Sequence, residues 1–210
     1  PLYTSINPTL AVQSKARKGE PWKDYKGLSF VDVGVREFWD YIVDIARQSH
    51  AIGFDELNFD YIRYPSDGPM IDVLFNHSDY SERALELEKF FRYLAEKIKK
   101  ADAKGHVPAI SADLFGMTTT NRDDLTIGQV MERATPYFDY IAPMTYPSHY
   151  PPGFNGYQNP NNNVYGVVKY SIDRAVERVE SATTTIASLA YERIVHCIPV
   201  AIESATTTAG

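Results

Sequence analysis

The chain is poor in cysteine, in basic residues and in long apolar runs, and each shortage removes a class of protein. Its single cysteine, Cys197, can form neither an internal disulfide nor a metal cluster, which excludes disulfide scaffolds and zinc fingers. The histidines, at 50, 77, 106, 149 and 196, lie far apart, and none stands with a second ligand at helical spacing, so no metal site is expected. Lysine plus arginine number 21 against 27 acidic residues, a formal charge of -6, which is unsuited to neutralising phosphates. Nucleic acid is therefore not an expected partner. No apolar run approaches the roughly 18 to 20 residues that span a bilayer, and the opening PLYTSINPTL has neither a charged n-region nor an h-region. A soluble chain without a transmembrane segment is expected. Also missing are the phosphate-binding and dinucleotide-binding glycine patterns, the G-x-S-x-G elbow, H-E-x-x-H and an EF-hand loop. Nucleotide, serine-hydrolase and zincin chemistry thus lack a basis, and no cofactor is implied.

What is present suffices for a large core: 44% of the 210 residues are hydrophobic, among them 15 Tyr, 10 Phe and 2 Trp. Such aromatic rings serve packing and sugar binding equally well. After an irregular start punctuated by Pro8, Gly19, Pro21 and Gly27, the positions Phe38, Tyr41, Ile42, Ile45 and Ala46 predict a helix from Glu37 to about Ala51, stopped at Gly53. In Asp55-Glu-Leu-Asn-Phe-Asp-Tyr-Ile62 apolar and polar residues alternate, which predicts a strand. Ser81 is placed to cap a helix whose core face is Ala84, Leu87, Phe90, Phe91, Leu94 and Ile98. A strand is expected from Val107 to Leu114. Asp123 or Asp124 should cap a helix carrying Ile127, Val130, Met131 and Ala134. Strand from Phe138 to Tyr146, loop from Pro147 to Asn163, helix from Val164 to about Val179 and a further strand from Ile194 to Ile202 complete the reading. Glu-Ser-Ala-Thr-Thr-Thr recurs at 180–185 and 203–208, a two-copy repeat that carries no functional argument.

Strands alternating with helices predict βαβ units and a parallel sheet, so the class is α/β. Glu56, Asn58 and Asp60 keep one strand face polar from end to end. A barrel interior can hydrate such a face near its mouth, whereas an open sheet would press it against apolar helices. The expectation is a (β/α)8 barrel of the TIM type. Since about four strands cannot close one, it would be an incomplete barrel covering the middle strands, with residues 1–180 as the barrel part and 181–210 as an atypical C-terminal segment.

Parallel strands gather their C-terminal ends on one rim, where barrel active sites are built. Asp60 and Asp113 stand near such ends, and the third strand leads to Tyr146 and His149. Two carboxylates in a cleft with aromatic walls suit glycosidic cleavage: one protonates the leaving oxygen, the other attacks the anomeric carbon or activates water. A carboxyl desolvated beside negative charge gains proton affinity, while one beside Arg63 stays ionised, which assigns Asp113 as acid and Asp60 as nucleophile or base. Arg63, Tyr64, Tyr146 and His149 are the expected substrate-binding residues. Plainer roles stand beside these. Asp60 could pair with Arg63 or cap a turn, Asp113 could accept backbone N–H bonds, and the loop side chains could serve their own packing. Glu56, at the far end of its strand, is expected to be structural.

Gly53-Phe-Asp-Glu-Leu-Asn-Phe-Asp-Tyr-Ile-Arg-Tyr-Pro-Ser-Asp-Gly68, Ile127-Gly-Gln129 and Tyr140-Ile-Ala-Pro-Met-Thr-Tyr-Pro-Ser-His-Tyr150, with Trp22-Lys-Asp-Tyr-Lys-Gly27 and Trp39-Asp-Tyr41 ahead of them, resemble a glycosyl hydrolase domain family over about residues 1–172. The resemblance implies a glycosidase-type TIM barrel of which this chain matches the middle, a polysaccharide or cell-wall glycan as substrate, and export to the bacterial cell envelope or beyond. The segment after about residue 180 departs from the family pattern. Two rival classes remain: a barrel that binds glycan without cleaving it, using Tyr61, Tyr64, Tyr146 and Tyr150 as stacking platforms, and a noncatalytic interaction domain.

Overall fold

The computed structural model describes residues 2–102 and 105–182. The expected strand at 194–202, Cys197 and all but the first two residues of the C-terminal segment lie outside the described residues. In chain order the regular elements are α1 (Leu2–Ile6), β1 (Gln13–Ser14), α2 (Arg36–Ala51), β2 (Glu56–Phe59), β3 (Val73–Leu74), α3 (Arg83–Ile98), β4 (Ala109–Phe115), α4 (Met131–Ala134), β5 (Tyr140–Met144) and α5 (Val164–Ala182), with short 3-10 turns between them. The chain divides into two compact units. The first comprises residues 1–55, 63–108 and 126–129, and the second 56–62, 109–125 and 130–210.

In the first unit β1 and β3 form a short antiparallel ladder. Beside it Val12, Trp22 and Val73 make a buried cluster against which Phe30, Met70 and Phe75 pack. The helices α2 and α3 meet through Trp39, whose ring lies 5.2 Å from Phe90 and 5.5 Å from Tyr93. Helix α3 buries Leu87, Phe90, Phe91, Leu94 and Ile98 as their spacing predicts, with Ala84 half-buried. Its entry differs from expectation. Ser81 lies in a 3-10 turn, Tyr80–Glu82, that Asp79 caps by accepting from the backbone N–H and the hydroxyl of Ser81, while α3 itself starts after Glu82 without a side-chain cap. In α2 the buried face is Trp39, Val43 and Ala46, whereas Tyr41 and Ile45 are exposed, so the stripe is rotated from the one expected. Gly53, at φ 116°, ends the segment where a side chain would be strained.

The second unit holds a three-stranded parallel sheet in the order β2-β4-β5. The fold is thus mixed α/β, and among the described residues the parallel strands number three rather than the eight of a closed barrel. The register pairs Leu57 with Ile110 and Phe59 with Ala112, then Ala112 with Ile141 and Leu114 with Pro143. Because strand side chains alternate, these residues share one face. Of them Leu57, Phe59, Ile110, Ala112, Leu114 and Ile141 are buried. Glu56, Asn58, Ser111 and Asp113 fall on the other. Helix α5 packs a stripe of Val167, Ser171, Ala175 and Val179 inward at near-helical spacing.

The helix expected over 123–134 shrinks to the four residues of α4. Leu125 and Thr126 adopt left-handed backbone, at φ 52° and 60°, which a helix cannot pass through. The carbonyl of Ile127 accepts instead from the N–H of Tyr64.

Candidate functional site

The polar face of the sheet is organised as rungs between β2 and β4. Glu56 pairs in register with Ala109, yet its carboxylate accepts a 2.6 Å hydrogen bond from the hydroxyl of Ser111, two residues further along. Asn58 pairs with Ser111 and repeats the same diagonal one step on: its Nδ2 donates to Oδ1 of Asp113 at 3.2 Å. Glu56 therefore has the structural partner expected of it. Asp60 follows directly after β2 and is exposed to water. One further step of the register brings it level with Asp113.

At Tyr61 the backbone turns into the left-handed region, φ 58°. For a bulky non-glycine residue this is a strained conformation, and such strain gathers at functional sites. The turn lets the Tyr61 N–H fold back on the preceding side chain and donate to Oδ1 of Asp60 at 2.6 Å. The Tyr61 ring is left 47% exposed.

Asp113 sits fifth of the seven residues of β4, half-buried. Burial pushes its carboxyl above the ordinary carboxylate range, the Asn58 hydrogen bond works against that rise, and the charge of Asp60 adds to it. The two acids sense one another at the C-terminal ends of neighbouring parallel strands. Beyond β5 the chain carries Tyr146, 55% exposed, with its ring 5.4 Å from that of His149. His149 in turn lies edge-on to Phe115, the last residue of β4, at 6.2 Å. Asp60, Asp113, Tyr146 and His149 are thus gathered at one end of the sheet, all within the second unit.

Arg63 and Tyr64 belong to the first unit. The Arg63 guanidinium donates to the hydroxyl of Ser66 at 2.9 Å and to the carbonyl of Tyr64, and stands 3.6 Å from Asp67. Tyr64 is 0% exposed, its ring packed edge-on to Phe75 and Tyr80 at 5.1 and 5.6 Å. Burial pushes its phenol upward. A ring so enclosed is a core residue and has no face to give a ligand. Tyr150 is buried as well, with its hydroxyl accepting from Ser171 at 2.9 Å. Of the four tyrosines weighed as stacking platforms, Tyr61 and Tyr146 are open to solvent.

Sequence reasoning missed Asn58, which reads as an ordinary polar strand residue until the register puts Asp113 diagonally across from it. It also missed a second device. Arg178 of α5 donates through Nε and Nη2 to the two carboxylate oxygens of Glu132, at 2.7 and 2.5 Å, and through Nη1 to the carbonyls of Thr118 and Asn121. Among the described residues no group of three or more His, Cys, Asp or Glu could hold a metal ion, and no helix is long and apolar enough to cross a membrane.

The site thus consists of paired acids and exposed aromatic rings at the C-terminal end of a parallel sheet in an α/β protein. A family model described as "Putative glycosyl hydrolase domain" matches residues 1–189, and the chain belongs to that family. The crystal structure of a hypothetical protein from Ruminiclostridium thermocellum is similar over 54% of this chain at 31% identity, with a TM-score of 0.44. The chain spans about half of that protein, 52% of its length. Among curated proteins there is no match.

Proposed function

We propose that the protein hydrolyses O-glycosidic bonds of a polysaccharide or cell-wall glycan, with Asp113 as general acid and Asp60 as nucleophile or water-activating base. The fold proposed with this reading is a (β/α)8 barrel of which residues 1–180 would form a part. The supporting observation is the pairing of a carboxyl raised by burial with a second, exposed carboxylate at the same end of a parallel sheet. Glycosidic cleavage needs that asymmetry. Asp113 gives its proton to the bridging oxygen as the anomeric carbon–oxygen bond breaks. Asp60 supplies its electron pair to the anomeric carbon, or takes a proton from the water that attacks it. Tyr146 and His149, open to solvent beside this pair, line the sugar with an aromatic edge and hydrogen-bonding groups.

Full-length protein should be screened against a panel of neutral and amino-sugar glycans beside Asp60→Asn and Asp113→Asn. Each variant should lose turnover by roughly 10²- to 10⁴-fold while keeping glycan affinity. Undiminished turnover in either would overturn the assignment of that residue. Affinity for glycan in a wild type that cleaves nothing would favour the noncatalytic carbohydrate-binding barrel.

A further inference from the structure

We infer that Asn58 is a positioning residue for the Asp113 carboxyl, holding it by Oδ1 so that its exchangeable proton is carried at Oδ2. The inference rests on the glycoside-hydrolase reading for its consequence, and on the strand register for its geometry. Two polar rungs cross between β2 and β4 on the same diagonal, Glu56 to Ser111 and Asn58 to Asp113. The first ends on a buried serine and ties the strands together. The second ends on the half-buried acid itself.

The chemistry of the two side chains decides what that rung can do. An amide N–H donates to a carboxyl oxygen whether the group is ionised or protonated, provided the proton sits on the other oxygen. The bond is stronger to the ionised form, since charge-assisted hydrogen bonds are roughly twice as strong as neutral ones. Asn58 therefore keeps the carboxyl in one orientation before and after it gives up its proton, and favours the form left behind. An ionised aspartate at 58 would offer no donor and would place a further negative charge beside the two acids. A third diagonal of the same kind would join Asp60 to Phe115, which has no polar atom to give. Asp60 is braced by the Tyr61 N–H instead. The two acids are thus oriented by different devices, one across the sheet and one local.

The test reads the Asp113 proton directly. Carbon-13 NMR of the aspartate carboxyls, with Asp113→Asn to assign the signal, should give the Asp113 pKa in the wild type, in Asn58→Leu, and in Ser111→Ala, which removes the neighbouring rung. Asn58→Leu should raise it by about one unit, and Ser111→Ala should leave it within a few tenths. Should Asn58→Leu fail to fold, Asn58→Asp of nearly equal size should raise it further through like charge. An unchanged pKa in the Asn58 variants, or an equal shift in Ser111→Ala, would overturn the inference. The alkaline limb of kcat/KM against pH should move with the NMR value. If the NMR value moves and the rate profile does not follow, Asn58 still positions the carboxyl, and the acid assignment of Asp113 is what fails.

Discussion

Asp113 binds its proton more tightly in the folded chain than in the unfolded one, and this links the candidate acid to stability. Its folded pKa is raised, so the folded state holds more protons than the unfolded state between the two values, and stability falls as pH rises through that window. Below the unfolded value, near 4, the carboxyl is protonated in both states and costs nothing. Asp113→Asn should therefore be more stable than the wild type near neutral pH and equal to it in acid, checked by chemical denaturation at several pH values. Equal stability at every pH would mean that the carboxyl is not desolvated. Tyr61 predicts a second opposition of the same kind. Glycine takes left-handed backbone without the roughly 1 to 2 kcal/mol that a side chain costs there, although it loses more freedom on folding. Tyr61→Gly should hold or gain up to about 1 kcal/mol of stability while glycan affinity falls, because the exposed ring goes with the strain. Loss of stability with unchanged affinity would make Tyr61 a packing residue. Asp60 and Asp113 were legible in the sequence, since alternation in a strand separates a polar face from an apolar one. Tyr64 was not. It stands four residues from Asp60, but the left-handed turn at Tyr61 lies between them, and no sequence pattern announces a bulky residue at positive φ.

Helix legibility followed how much of each circumference is apolar. In α3 the stripe of Leu87, Phe90, Phe91, Leu94 and Ile98 has charged residues around it, and one face could be buried. In α2 two stripes compete: Phe38, Tyr41, Ile42 and Ile45 on one, Trp39 and Val43 on the other, with Ala46, expected on the first, buried beside the second. Packing of Trp39 on Phe90 and Tyr93 decides for the second, and that partner lies some fifty residues away. The strands expected at 55–62 and 138–146 are trimmed at both ends to β2 and β5, the one expected at 107–114 runs two residues later at its start and one at its end as β4, and the two-residue β1 and β3 are too short to show a period. One glycine fixes how the ends of β4 and β5 meet. A Cβ at Gly116 would lie 2.4 Å from the carbonyl oxygen of Met144 and 2.8 Å from the Tyr150 hydroxyl. The first is backbone and cannot rotate away. Gly116→Ala should cost roughly 1 to 3 kcal/mol and displace the end of β5, and with it Tyr146 and His149. Denaturation gives the first effect and glycan affinity the second. A stable variant with unchanged affinity would show that β5 can retreat without moving the loop.

At the scale of the whole molecule, three parallel strands and the alternation of strand and helix could be read from the sequence, because each element carries its own periodicity. The Arg178 network could not, because it joins residues 118, 121, 132 and 178, which share no local pattern. It ties α5 to α4 and to the turn after β4 within the second unit, the same unit that carries the paired acids. Arg178 is 8% exposed at its side chain and Glu132 32%. Burial alone would push the Glu132 carboxyl up, but the hydrogen bonds and charge of Arg178 outweigh it and hold the group below its ordinary value. A depressed carboxylate contributes stability that is present above its unfolded pKa and lost as pH falls through the folded one. Lysine cannot replace the arginine, since it lacks the planar fork that meets both carboxylate oxygens while a third nitrogen reaches two carbonyls. Arg178→Lys and Arg178→Met should each cost roughly 2 to 4 kcal/mol near neutral pH, less than a fully buried pair because Glu132 is about a third exposed. Glu132→Gln beside them should lose less, keeping one acceptor oxygen. All three should show a flatter fall of stability below pH 5 than the wild type. A loss that stays constant from neutral to acid pH would mean that Arg178 acts through the two carbonyls rather than through the carboxylate.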